Sequence, residues 1–132
     1  MTTTTLKARS LAISLTVNDL TRSTRLYTEG LGFTLKDEYK MEGKVVGVML
    51  ESGDASLMLT QDDFAKGQNR QKGLGMRLYI ETEQDLQSLA QQARAAGLSV
   101  EGDPAPLPWG PTGFSLTDPD GFKVTVSSPV NG

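Results

Sequence analysis

The chain has 132 residues, 37% of them hydrophobic and 22% charged, which suits one compact domain or two small modules sharing a core. A net charge of −3 and a pI near 4.9 argue against nucleic-acid and anionic-membrane partners, which usually require a basic surplus. The absence of Cys and His removes disulfides, thiolate nucleophiles, imidazole bases and the commonest transition-metal ligand. No run reaches ~18 apolar residues, so a soluble, cytoplasmic protein is expected, with residues 1–9 frayed or disordered.

Residues 11–17 alternate, with Leu11, Ile13, Leu15 and Val17 on one face and Ala12, Ser14 and Thr16 on the other, as in a half-buried strand. Asn18 and Asp19 offer an N-cap for a helix whose stripe is Leu20, Thr24, Tyr27 and Leu31, with Gly30 and Gly32 as stop signals. Residues 33–38 read as a second strand, and 45–50 with 56–60 as a hairpin around Ser52-Gly53-Asp54. Residues 61–74 are polar and broken by Gly67 and Gly73, predicting a linker or lid.

The pattern then restarts. Residues 76–82 alternate Met76, Leu78 and Ile80 against Arg77, Tyr79 and Glu81. Thr82 and Asp85 suggest a capping box for a helix with the stripe Leu86, Leu89, Ala90 and Ala93, ended by Gly97. A strand is expected over 98–101 and an irregular Pro-rich loop over 103–111. Asp118-Pro119-Asp120-Gly121 then joins runs 114–117 and 122–126 into a hairpin, with Phe122, Val124 and Val126 opposite Lys123, Thr125 and Ser127. Ile13 and Leu78 stand 65 residues apart, as do Gly32 and Gly97, the mark of a duplicated unit. The expected divisions are a first module over 10–60, a linker over 61–75 and a second module over 76–132.

The segments ISLTVNDLTRSTRLYTEGLGF, SLMLTQ, AAGLSV and DPDGFKVTV, in this order and spacing, resemble the vicinal oxygen chelate superfamily, which includes glyoxalase I, extradiol dioxygenases and bleomycin resistance proteins. The resemblance implies an α+β fold of two βαβββ modules whose curled mixed sheets surround a cavity. Metal-dependent members place four ligands there, from the first and last strand of each module, and the matching positions here fall near Ala12, Met58, Arg77 and Thr125. A methyl, a thioether, a guanidinium and a hydroxyl do not replace the imidazole or carboxylate donors that divalent ions need at about 2.0–2.3 Å. No metal or other cofactor is therefore expected.

The predicted ligand-binding residues are Ser14, Met58, Arg77, Tyr79, Glu81, Trp109 and Thr125, with no catalytic residue among them. Arg77 has the donor fork for a carboxylate or phosphate, or else pairs with a neighbouring acid. Tyr79 can stack on a ligand, and Met58 supplies an adaptable apolar lining. Trp109, on a Pro-rich loop, is a ligand clamp, a dimer contact or a lid over the core, and Phe64 is a weaker candidate of the same sort. Glu81 serves as a general base only if burial raises its pKa. Asp62 with Asp63 reads chiefly as solvated charge, and Lys66, Arg70 and Lys72 as a weak phosphate signal.

The expectation is a metal-independent binding protein that sequesters an organic ligand or antibiotic, acting as a homodimer. The alternatives are a glyoxalase- or dioxygenase-like lyase or isomerase with a remodelled site, and a non-catalytic interaction module.

Overall fold

The computed structural model describes residues 3–129. Strands β1 (Ala12–Val17), β2 (Thr34–Met41), β3 (Lys44–Ser52) and β4 (Ala55–Gln61) form one sheet in the order β1-β4-β3-β2. Strands β5 (Leu78–Glu81), β6 (Ser99–Pro106), β7 (Thr112–Thr117) and β8 (Lys123–Ser127) form a second in the matching order β5-β8-β7-β6. Helix α1 (Leu20–Arg25) follows β1 and runs into a π-helical turn over Leu26–Gly30, and α2 (Leu86–Ala96) follows β5. In each sheet the first and last strands pair parallel and the rest antiparallel, so each unit is βαβββ.

Period-two patterning decides which face of each sheet is covered. Leu15, Val17, Leu57, Leu59, Val48 and Leu50 are buried on the first sheet, and Phe114, Leu116, Phe122, Val124 and Val126 on the second. Helix α1 packs on β3 and β4, α2 on β6 and β7, and α2 also meets the π turn, so one core serves both modules. Gly30 permits that approach, since a Cβ there would lie 2.7 Å from the Leu98 side chain.

Several boundaries differ from those expected. Leu11 precedes β1 and is 84% exposed, and β5 begins at Leu78 rather than Met76. Asp85, not Thr82, caps α2: its carboxylate accepts from the Ser88 N–H, while the Thr82 hydroxyl accepts from the Gln84 N–H and stays outside the helix. Strand β6 runs through Pro104 to Pro106, which an edge strand with an irregularity between Glu101 and Ala105 can accommodate. On the first helix Ser23 and Leu26 are buried alongside Leu20 and Tyr27, at the i, i+3, i+6 and i+7 spacing of one helical face, in place of Thr24 and Leu31.

The π turn has an arithmetic origin. The N-caps Asp19 and Asp85 stand 66 residues apart, whereas Gly32 and Gly97, both at positive φ, stand 65 apart. The first helix thus holds one residue more between cap and stop, and widening a turn absorbs it without moving the stop.

Polar ties fix the DPDG turn to the first module. The Tyr27 hydroxyl, fully buried, donates to Asp118 Oδ2 at 2.8 Å, and Asp118 Oδ1 accepts from the Asp120 and Phe122 N–H groups at 2.9 Å each. Burial, with the nearby Asp118 carboxylate, pushes the Tyr27 hydroxyl far above its ordinary value, so it remains a donor. Asp120 Oδ1 accepts from the Asn18 N–H at 2.9 Å. The segment after β4 is anchored at the same end: Lys72 Nζ lies 2.8 Å from Asp62 Oδ2 and donates to Asn18 Oδ1 at 2.7 Å. A Cβ on Gly73 would collide with the Gly121 carbonyl, so backbone packs on backbone there.

Tyr27→Phe leaves the Asp118 carboxylate with one donor fewer in a buried site, and a loss of about 1.5–3 kcal/mol is expected in urea unfolding. The Lys72 ammonium, then the Phe64 N–H, hold the Asp62 carboxyl below its ordinary range. Its contribution is therefore present above the unfolded pKa of about 3.9 and is lost as pH falls through the lower folded value. Asp62→Asn should lower Tm at neutral pH yet flatten its decline below about pH 4; some slope remains, because Ser88 lowers Asp85 in the same way.

Candidate functional site

The face of each sheet turned away from the core carries the predicted site residues, and strand register arranges them in rows. On the first sheet Ser14, Met58 and Met49 form one row, and Thr16, Thr60, Gly47 and Tyr39 the next. The Thr16 and Thr60 hydroxyls lie 3.5 Å apart. On the second sheet Tyr79, Thr125, Ser115 and Glu101 form one row, with Glu81, Ser127 and Gly113 beside it.

Arg77 settles over Thr125. Its Nη1 donates to Thr125 Oγ1 at 3.0 Å, and Thr125 Oγ1 lies 2.8 Å from Ser115 Oγ, leaving Thr125 only 2% exposed. Among the described residues no carboxylate pairs with Arg77, so the expected alternative of a propping acid is not what holds it. One donor of its fork is engaged by Thr125, and the side chain stays accessible.

Trp109 reaches this face because of a glycine. A Cβ on Gly113 would lie 2.8 Å from both Leu107 Cδ1 and the Val126 carbonyl oxygen on the paired strand, so the missing side chain lets β8 approach and Leu107 seat against the sheet. The turn after it is closed by Gly110 N–H to Leu107 O at 3.0 Å and Leu107 N–H to Pro111 O at 2.8 Å. The turn carries the indole back over β5, edge-on to Tyr79 with ring centroids 5.8 Å apart at 79°. Both rings remain open, Tyr79 at 63% and Trp109 at 51% exposure, and with Ile80, Glu81 and Ser127 they line a crevice of ≈ 460 Å³.

The structure thus brings Arg77, Tyr79, Glu81, Trp109 and Thr125 onto one face, while Ser14 and Met58 sit together on the other sheet. Neither sheet closes into a barrel, and none of the principal crevices among the described residues is lined by both groups, so in place of one surrounded cavity the residues lie on two open faces. A larger crevice of ≈ 630 Å³ runs from the β3–β4 turn past Phe33 to Tyr79, Glu81 and Leu89. Glu81 is exposed, which removes the burial that general-base chemistry there would need. Phe64, at φ 60 on the segment after β4, is 36% exposed and lines none of these crevices.

A divalent metal does not fit the four positions its relatives would use: two are hydrogen-bonded to each other as guanidinium and hydroxyl, and the others are Ala12 and Met58. No three acidic side chains gather into a candidate metal cluster among the described residues. No helix among them is long and apolar enough to cross a membrane. Sequence reasoning missed Tyr39 and Met49, which share the first sheet's open face, and Lys123 beside Arg77; the alternation around Gly47 and Val124 carried that signal.

Two βαβββ units, each a four-stranded mixed sheet carrying a helix, define the class of fold. The chain belongs to the glyoxalase/bleomycin resistance protein/dioxygenase superfamily, whose family model matches residues 9–126. Similar solved structures include TioX from Micromonospora sp. ML1, at 16% identity and TM-score 0.72, with 92% of this chain and 98% of that one covered. TnmS3, an antibiotic binding protein from Streptomyces sp. CB03234, aligns at 21% identity and TM-score 0.70 over 96% and 99% of the two chains. An integron cassette protein from V. cholerae aligns at 24% identity and TM-score 0.70 over 96% and 98%. No curated protein matches the chain.

Gly113→Ala should unseat Leu107 and release Trp109 from Tyr79. The expected outcome is a red-shifted emission from the single Trp with a loss of about 1–3 kcal/mol in stability, read by fluorescence during urea unfolding.

Proposed function

We propose that this protein binds and sequesters an organic, aromatic-bearing ligand on the open face of its second sheet, without metal and without turnover. The observation that carries this reading is the Tyr79–Trp109 pair, two large rings held edge to face yet more than half exposed. A monomeric surface rarely keeps such a pair uncovered unless something docks on it. Arg77 near the pair supplies a polar contact, buried Thr125 positions its guanidinium rather than touching the ligand, and Glu81 borders the crevice of the two rings. Ser14 and Met58 provide a second, softer face. TnmS3, an antibiotic binding protein of the same fold, supports ligand binding as a use of this scaffold.

A homodimer belongs to the same reading. Strands β1 and β5 are free edges of their sheets, and between them lies a crevice of ≈ 350 Å³ lined by Leu11, Ile13, Leu57, Leu78 and Ile80. Pairing two copies along these edges would cover apolar surface and enclose the open faces. Light scattering should give about twice the 14.2 kDa chain mass; a monomer at micromolar concentration would refute this part.

Ligand binding is tested by titrating the single Trp with polycyclic aromatic compounds. Saturable quenching is expected, weakened about 10-fold or more by Tyr79→Ala and unaffected by chelator. Quenching that is absent across the panel, or equal in Tyr79→Ala, would overturn the assignment.

A further inference from the structure

A crevice of ≈ 420 Å³ at the open end of β5 and β8 is lined by Lys72, Gly73, Leu74, Gly75, Met76, Arg77, Gly121 and Lys123, with no acidic side chain among them. The parallel register begins with Leu78 against Val124, and Arg77, the residue just before β5, and Lys123, the first of β8, both line the crevice next to that pair. Like charges so placed repel. Neither has an ion pair among the described residues, although the chain as a whole carries 16 acidic against 13 basic residues. The third cation is already committed: Lys72 is held by Asp62 and Asn18 with only 5% of its side chain exposed. The wall opposite is Gly73-Leu74-Gly75, with both glycines at positive φ and no N–H of the three donating to a protein acceptor among the described residues. Two cations without ion pairs and backbone N–H groups without acceptors, lining one crevice, are the groups an oxyanion requires.

We propose that Arg77 and Lys123, with the Gly73–Gly75 backbone, bind an oxyanion, and that the ligand of this protein is an aromatic acid. The second half rests on the Tyr79–Trp109 reading: Arg77 lies two residues from Tyr79 on the same face, about 7 Å along the strand. A ring on the aromatic pair therefore holds a carboxylate, sulfonate or phosphate within reach of the guanidinium. The oxyanion site itself is independent of that ring, since free phosphate has the same chemistry.

Two measurements separate the halves. In the first, inorganic phosphate is titrated at constant ionic strength, set with sodium chloride, while amide shifts of Gly73, Leu74 and Gly75 are followed by NMR. Saturable shifts are expected, with Kd raised about 5-fold or more in Lys123→Gln, a variant at an exposed position. In the second, quenching of Trp109 by 2-naphthoate is compared with quenching by uncharged 2-naphthol. Naphthoate should bind about 10-fold tighter, and the preference should shrink to near unity in Lys123→Gln and in Arg77→Gln.

Phosphate shifts without quenching by either naphthalene would keep the oxyanion site and overturn the aromatic platform. Quenching by both naphthalenes with equal affinity, and no phosphate shift, would overturn the oxyanion site and leave the platform. Phosphate shifts with no preference for naphthoate would keep the anion site but overturn the aromatic acid as ligand. Phosphate shifts equal in wild type and Lys123→Gln would overturn the assignment of the site to this pair.

Discussion

A buried carboxylate, Asp118, ties the two modules together across their shared core. Asp118 accepts the Tyr27 hydroxyl from the first helix and two N–H groups from its own turn, so the hairpin that ends the second sheet is shaped and docked by the same side chain. Burial raises its pKa, against the lowering effect of those three donors. Asp120 ties the same turn to Asn18, and Gly121 packs under Gly73, so contacts from the first helix, the end of β1 and the segment after β4 all converge there. Strand β8, which aligns Thr125 and Lys123, starts two residues beyond Gly121. The geometry of the second sheet's open face is thus set at a turn whose Gly121 also borders the crevice of Lys123 and Arg77.

The two modules share a topology and differ in what their open faces carry. One presents Ser14, Met58, Met49 and paired threonines; the other presents a guanidinium, an ammonium and two aromatic rings. Buried positions are held to similar residues by packing, whereas the positions between them, on the opposite face of the same strand, are not. Family membership therefore speaks for the scaffold, and the chemistry has to be read from the faces.

Much of the scaffold was legible because alternation and turn residues agree. Asp118-Pro119-Asp120-Gly121 specified its hairpin, and Phe122, Val124 and Val126 are buried as their spacing required. Glu42-Gly43, which closes the β2–β3 hairpin at φ 52 and 80, went unread because Glu is an uncommon residue at positive φ. Pro104 and Pro106 hid the length of β6, since proline argues against a strand except at an edge. Among the site residues, membership of a face followed from period two, but the Trp109–Tyr79 contact did not. It depends on Leu107 filling the space above Gly113, a relation across strands that no local pattern encodes. The division of the site over two sheets was likewise invisible, because alternation assigns a side chain to a face without saying which faces meet.

The π turn at Leu26–Gly30 bears on how such a duplicated chain tolerates change in length. An added residue in a helix normally swings everything beyond it by about 100°, and here it would have carried Tyr27 off its partner or Gly32 out of its turn. The surplus is instead taken up within one loosened coil, and the frame recovers before the next strand begins. The helix therefore behaves as an expansion joint, in which insertions and deletions can be accepted locally while the load-carrying seam stays in register.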